Sequence, residues 1–248
     1  MKIADANAIV TGGASGLGAA TARALAVRGA EVAAFDLKEG EPHARVRYFT
    51  CDVADEDSAV NAIAAARDAH GPPTILVNCA GIGGPARVVG REGPMPLASF
   101  ETIVRVNLIG TFNMVRLVAA AMSTGEPDAT GNRGVIVSTA SVAAYEGQVG
   151  QAAYAASKGG IVGMTLPIAR EFAAFGIRVL AIAPGLFNTP LLNRLPDEAR
   201  RSIAASIPYP PRLGLPEEFA RMVIAMIEND YLNGEVIRLD GALRMQPK

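Results

Sequence analysis

Short apolar runs rich in Val, Ile and Ala alternate along the chain with longer, Ala-rich amphipathic stretches. The runs at 8–11, 31–35, 46–50, 75–78, 134–138, 178–183 and 235–239 predict strands. The stretches at 17–28, 55–70, 97–122, 151–175 and 216–228 predict helices. Such alternation argues for parallel strands joined by helical crossovers. The near-continuous apolar strands then need helices on both faces.

Right-handed crossovers turn this pattern into an α/β, doubly wound parallel sheet, a Rossmann fold. No linker, repeat or low-complexity tract divides it, so residues 1–248 are expected to form a single domain. Two Pro/Gly-rich regions, 81–96 and 184–216, interrupt the alternation. Both lie beyond carboxyl ends of strands, where open α/β sheets bind ligands. The stretch around 186–215 is expected to act as a substrate lid.

Half of the 248 residues are apolar, enough for a sizeable core, and 23 basic residues face 24 acidic ones. This balance, with no basic block, argues against a nucleic-acid partner. Gly, Arg or Asn interrupts the longest apolar runs, and the first residues hold no sustained apolar core, so neither a membrane span nor a signal peptide is expected. The cysteines Cys51 and Cys79 form no CxxC pair, which predicts no metal site and a reducing, cytoplasmic setting. His43 and His70 lie in polar stretches and are expected at the surface. A Ser hydrolase would need a G-x-S-x-G elbow, and the sequence has none.

Thr11-Gly-Gly-Ala-Ser-Gly-Leu-Gly18 follows the first strand and opens the first helix. Glycines at 12, 16 and 18 let backbone approach a pyrophosphate, and the helix N-terminus supplies free N–H groups. Asp36 ends the second strand, where a carboxylate can bond adenosine ribose hydroxyls and repel a 2′-phosphate. NAD is therefore favoured over NADP, although Lys38 stands nearby. Asp52 could meet the adenine edge or cap the helix that starts near Asp55. Asn78-Cys79-Ala80-Gly81 ends the fourth strand with small residues that allow close passage of a cofactor.

Tyr154 and Lys158 are spaced i, i+4 and share a helix face. An ammonium beside a phenol favours the phenolate, which makes Tyr154 a candidate acid/base near neutral pH. Ser141 follows the fifth predicted strand and could hold a substrate oxygen, with Ser138 and Thr139 as competitors. Asn107 sits in mid-helix, where it could hold a water, bond backbone near Lys158, or serve as a structural amide.

Taken together, these residues resemble the short-chain dehydrogenase/reductase family from end to end, closing on Asn233-Gly-Glu-Val-Ile-Arg-Leu-Asp-Gly241. The runs 139–154, 159–170 and 183–192 resemble a branch that acts on 3-hydroxyacyl-CoA thioesters. The resemblance implies that Tyr154 is the acid/base, Lys158 binds the nicotinamide ribose, Ser141 positions substrate oxygen and Asn107 supports a proton path. It implies Ser15, Leu17, Asp36, Asp52, Val53 and Cys79 on the adenosine and pyrophosphate side. It also implies Pro184, Gly185, Phe187 and Thr189 at the nicotinamide end, and Gln148 and Leu191 beside substrate. The expected activity is NAD-dependent interconversion of a secondary alcohol and a ketone in fatty acid metabolism, by a homotetramer. The alternatives are a hydroxysteroid dehydrogenase, a 3-oxoacyl-carrier-protein reductase, or a non-catalytic NAD-binding assembly subunit. Arg87, Arg91 and Arg194 are candidate contacts for CoA phosphates.

Overall fold

A computed structural model describes residues 1–190, 192 and 197–247. Leu191 and Arg194 lie outside the described residues. Seven parallel strands form one sheet: β1 (Asn7–Thr11), β2 (Glu31–Asp36), β3 (Val46–Thr50), β4 (Ile75–Asn78), β7 (Gly134–Thr139), β8 (Ile177–Pro184) and β9 (Val236–Leu239). Their spatial order is β3-β2-β1-β4-β7-β8-β9, so the direction of winding reverses between β1 and β4. Ligands in such sheets bind outside that reversal.

Alternation along each strand sends side chains to two separate cores. Val10, Val32, Val77, Val137 and Leu180 pack with α1 (Gly16–Val27) and α7 (Pro216–Glu228) on one face. Ile9, Phe35, Leu76, Ile136 and Val179 pack with α2 (Glu56–His70) and α4 (Gly110–Ser123) on the other. The expected three-layer architecture therefore forms. Asp55 caps α2 by accepting from Ser58 N–H at 2.8 Å, so Asp52 is not its cap. Glu218 reaches back to Leu215 N–H at the start of α7 and takes two bonds from Arg212. The Arg212 guanidinium holds the Glu218 carboxyl down at about 2.

Three features differ from the sequence expectations. The helix expected at 97–122 is α3 (Leu97–Val104), one π-helical turn (Arg105–Ile109) and α4. By length and composition Leu97–Ser123 could cross a membrane; here α3 lies on α5 (Ala152–Phe172) and α4 lies on the sheet. The loop at 81–96 holds a small hairpin, β5 (Val89–Gly90) with β6 (Gly93–Pro94). His70 is drawn inward by α2. Its ring meets the Phe49 edge at 6.3 Å, and its Nε2 is buried without a partner.

Candidate active site

The turn after β1 is built for close approach. Gly12 has φ +65°, and a Cβ there would stand 2.8 Å from Ala80 N. A Cβ on Gly18 would collide with the Gly12 carbonyl. Thr11 Oγ1 accepts from the N–H groups of Cys79 (3.2 Å) and Ala80 (3.1 Å), which fastens the β4 exit to this turn. Ser15 starts α1 with its hydroxyl uncommitted to a cap bond. Asp36 accepts from Ala14 N–H at 3.1 Å and from Leu37 N–H at 2.8 Å, so its carboxylate is fixed beside the turn. A glycine-rich turn, an open helix N-terminus and an anchored carboxylate fit an adenine dinucleotide.

Asp52 turns one oxygen onto Ala54 N–H at 2.9 Å and is otherwise exposed. Val53 is buried against Gly110, and its carbonyl accepts from Asn113 Nδ2. Asn78 donates to Ser138 Oγ at 3.2 Å, while its own Oδ1 is buried without a partner.

A cleft of ≈ 550 Å³ opens beside this cradle. Leu17, Cys79 and Gly81 line it beside the glycine turn, and Pro184, Gly185, Phe187 and Thr189 line it too, Thr189 standing next to Gly16. Ser141, Gln148, Tyr154 and Lys158 are also in its wall, together with apolar residues such as Ile82, Val142 and Ile203. The other residues expected to bind cofactor (Gly12, Ser15, Gly16, Gly18, Asp36, Asp52, Val53, Asn78 and Ala80) are not in its wall. They belong to the turn and strand ends that lead into it. The Phe187 ring packs on Phe219 at 6.2 Å and against Gly214, which joins the 186–215 region to the body.

The first turns of α5 present Tyr154 and Lys158 to the cleft. Ser138 is spent inside the sheet on Asn78, and Ser141 reaches the cleft. Ser141 Oγ accepts from Ala143 N–H at 3.1 Å, which fixes the oxygen and leaves its O–H to donate. Lys158 Nζ donates to the Thr139 carbonyl at 2.7 Å and sits 5.7 Å from the Tyr154 ring centre. Burial pulls the Lys158 ammonium down to about 8. The same burial pushes the Cys79 thiol up to about 11.

The sequence suggested that Lys158 lowers the Tyr154 pKa directly. The structure differs. Burial raises the Tyr154 phenol above its usual value, and the hydrogen bond with Ser141 is what opposes the rise. Lys158 donates one of its three protons to the Thr139 carbonyl, and the phenol, raised by burial, is protonated near neutral pH.

Asn107 occupies the π-helical turn and is fully buried. Its Oδ1 accepts from Ile82 N–H (2.8 Å), and its Nδ2 donates to Ile82 O (2.9 Å) and Ser157 Oγ (3.1 Å). Ser157 Oγ in turn donates to the Tyr154 carbonyl at 2.8 Å. Asn107 thus ties the β4 exit to the turn of α5 that carries Tyr154, and its amide bonds backbone next to the site. The extra residue of a π turn is a known way to aim such a side chain. Sequence reasoning missed Ser157, Thr11 and the Thr139 carbonyl. Ser157 was visible as the serine of Tyr-Ala-Ala-Ser-Lys, but its partner lies 50 residues away.

Known proteins are similar to this chain over nearly its whole length. A sequence profile of the short chain dehydrogenase family matches residues 6–200. The chain is 54% identical over 249 residues to 3-hydroxyacyl-CoA dehydrogenase type-2 of Bos taurus, covering 97% of this chain and 95% of that protein. It is 53% identical to the Homo sapiens protein of the same name over the same shares of both. The crystal structure of 3-hydroxyacyl-CoA dehydrogenase type-2 from Mycobacterium avium superposes with a TM-score of 0.92 at 42% identity, covering 100% of both chains. With its glycine turn, Asn107, Ser141, Tyr154 and Lys158 in these positions, the chain is an oxidoreductase and belongs to the short-chain dehydrogenase family.

Proposed function

We propose that the enzyme interconverts 3-hydroxyacyl-CoA and 3-oxoacyl-CoA thioesters of short or branched chain, with NAD as coenzyme. The observation that carries this reading is the convergence of Ser141, Tyr154 and Lys158 on one cleft that begins at the dinucleotide cradle. The names of its full-length relatives support the thioester, and Asp36 supports NAD, because its carboxylate would repel a 2′-phosphate. Bound nicotinamide supplies the hydride acceptor or donor.

The chain's own residues handle the proton and the orientation. The Ser141 O–H donates to the substrate oxygen, whether hydroxyl or carbonyl. In the reductive direction Tyr154, protonated at rest, gives its phenolic proton to the nascent alkoxide. In the oxidative direction its phenolate takes the hydroxyl proton, helped by positive charge brought into the cleft. Lys158 would hold the nicotinamide ribose, while Asn107 and Ser157 keep the β4 exit and α5 in register.

The Lys158 ammonium predominates below about pH 8 and is lost above it, since burial lowers its pKa to about 8. An ammonium that binds ribose hydroxyls gives the tighter complex. The dissociation constant of NADH, measured by its fluorescence, should therefore rise as pH climbs through about 8, and Lys158→Met should flatten the profile. A wild-type profile that tightens with pH would contradict this role.

A homotetramer belongs to the same reading. Ile109, Phe112 and Leu166 on the 97–123 helix and α5 are exposed apolar side chains that further copies could cover. Sedimentation should give about four times the 25.7 kDa chain mass. A cytoplasmic setting in fatty acid metabolism completes the proposal, in keeping with two cysteines that remain free thiols.

The test is a panel at fixed NADH: acetoacetyl-CoA, an acetoacetyl-carrier protein and a ketosteroid. Highest kcat/KM on the CoA thioester supports the proposal. Preference for either competitor would reassign the substrate.

A further inference from the structure

We infer that the C-terminal segment 243–247 forms the substrate-end wall of the cleft, and that Met245 sets the acyl length the site accepts. The inference rests on the thioester reading above and names a residue that reading does not use. Met245 lines the same cleft as Ser141, Gln148 and Tyr154. It stands on their side of it, because its backbone N–H donates to Glu146 Oε2 at 3.1 Å, two residues from Gln148.

A segment without regular structure holds a fixed position only where something ties it down, and each of residues 243–247 is tied. Gln148 Nε2 donates to Gln246 O at 2.9 Å, and Val149 N–H donates to Pro247 O at 3.0 Å. Leu243 is buried. Glu146 takes two bonds from Arg238 (2.9 and 3.2 Å) and pairs with Arg244 at 3.3 Å. Asp240 joins both arginines, Arg238 at 2.8 Å and Arg244 at 3.2 Å. The Arg238 guanidinium also lies 5.4 Å from the Tyr145 ring centre. These contacts join the tail to the 145–151 segment, which separates Ser141 from Tyr154 in the chain. A wall held this way has a defined position, so the side chain it presents can discriminate by size. Met245 is half-buried there, and its unbranched thioether suits contact with an alkyl chain.

The test compares kcat/KM for acetoacetyl-CoA and 3-oxodecanoyl-CoA in the wild type, Met245→Ala and Met245→Trp. Shortening the side chain should raise the long-to-short ratio about tenfold, and Trp should lower it about as much. The KM for NADH should stay put in both. Glu146→Gln keeps the shape of the clasp but removes its charge, and it should shift the ratio in the same direction as Met245→Ala. It also serves if either Met245 variant fails to fold. Wild-type turnover with an unchanged ratio in all variants that fold would overturn the wall alone. Absence of wild-type turnover on both thioesters would overturn the thioester reading and this inference with it.

Discussion

Tyr154→Phe is expected to lose about 10³-fold in kcat while binding NADH as the wild type does. Among the described residues, the phenol is the one hydroxyl of the cleft that combines burial, a bond with Ser141 and an ammonium one helical turn away. Removing its oxygen leaves the ring, and so the packing, in place. The proton that must reach or leave the substrate oxygen then has no positioned carrier. Stopped-flow turnover with a parallel fluorescence titration separates the two effects. Loss of NADH affinity equal to the loss of rate would mean that Tyr154 shapes the site rather than moving a proton.

The second large effect concerns coenzyme choice. Asp36→Ala is expected to reduce the preference for NADH over NADPH about 10²-fold. Two contributions act together: a charged acceptor for the ribose hydroxyls disappears, and so does the repulsion that a 2′-phosphate meets. Asp36 also accepts from Ala14 and Leu37 N–H, so the alanine variant could slacken the turn. Asp36→Asn retains an acceptor for those bonds and removes only the charge. It should therefore move the preference in the same direction with little change in melting temperature. An unaltered ratio of kcat/KM values in both variants would show that selectivity resides elsewhere.

Much of this arrangement was legible in the chain. The apolar runs that form β1, β4, β7 and β8 are buried on both faces, and such strands need no alternation to be recognised. The glycine turn and the Tyr154–Lys158 pair are local in sequence, so their spacing carries their geometry. What stayed hidden depends on distant partners. The π turn at Arg105–Ile109 adds one residue to a helix whose apolar pattern barely changes, and its purpose lies at Ile82 and Ser157. The raised pKa of Tyr154 follows from burial, which spacing does not encode. Met245 lines the cleft because distant residues hold its segment, Glu146, 99 residues away, among them. The inward turn of His70 likewise reflects packing of α2 on β3 rather than any local polarity.

In the proposed reaction this site passes hydride between NADH and a 3-oxoacyl-CoA, with Tyr154 supplying the proton. The initial rate of NADH oxidation with acetoacetyl-CoA tests it most directly. Rapid loss of reduced-nicotinamide absorbance is expected, about 10³-fold slower in Tyr154→Phe and much slower with NADPH or with a small ketone lacking CoA. Equal rates on the CoA-free ketone, or a Tyr154→Phe variant as fast as wild type, would contradict it.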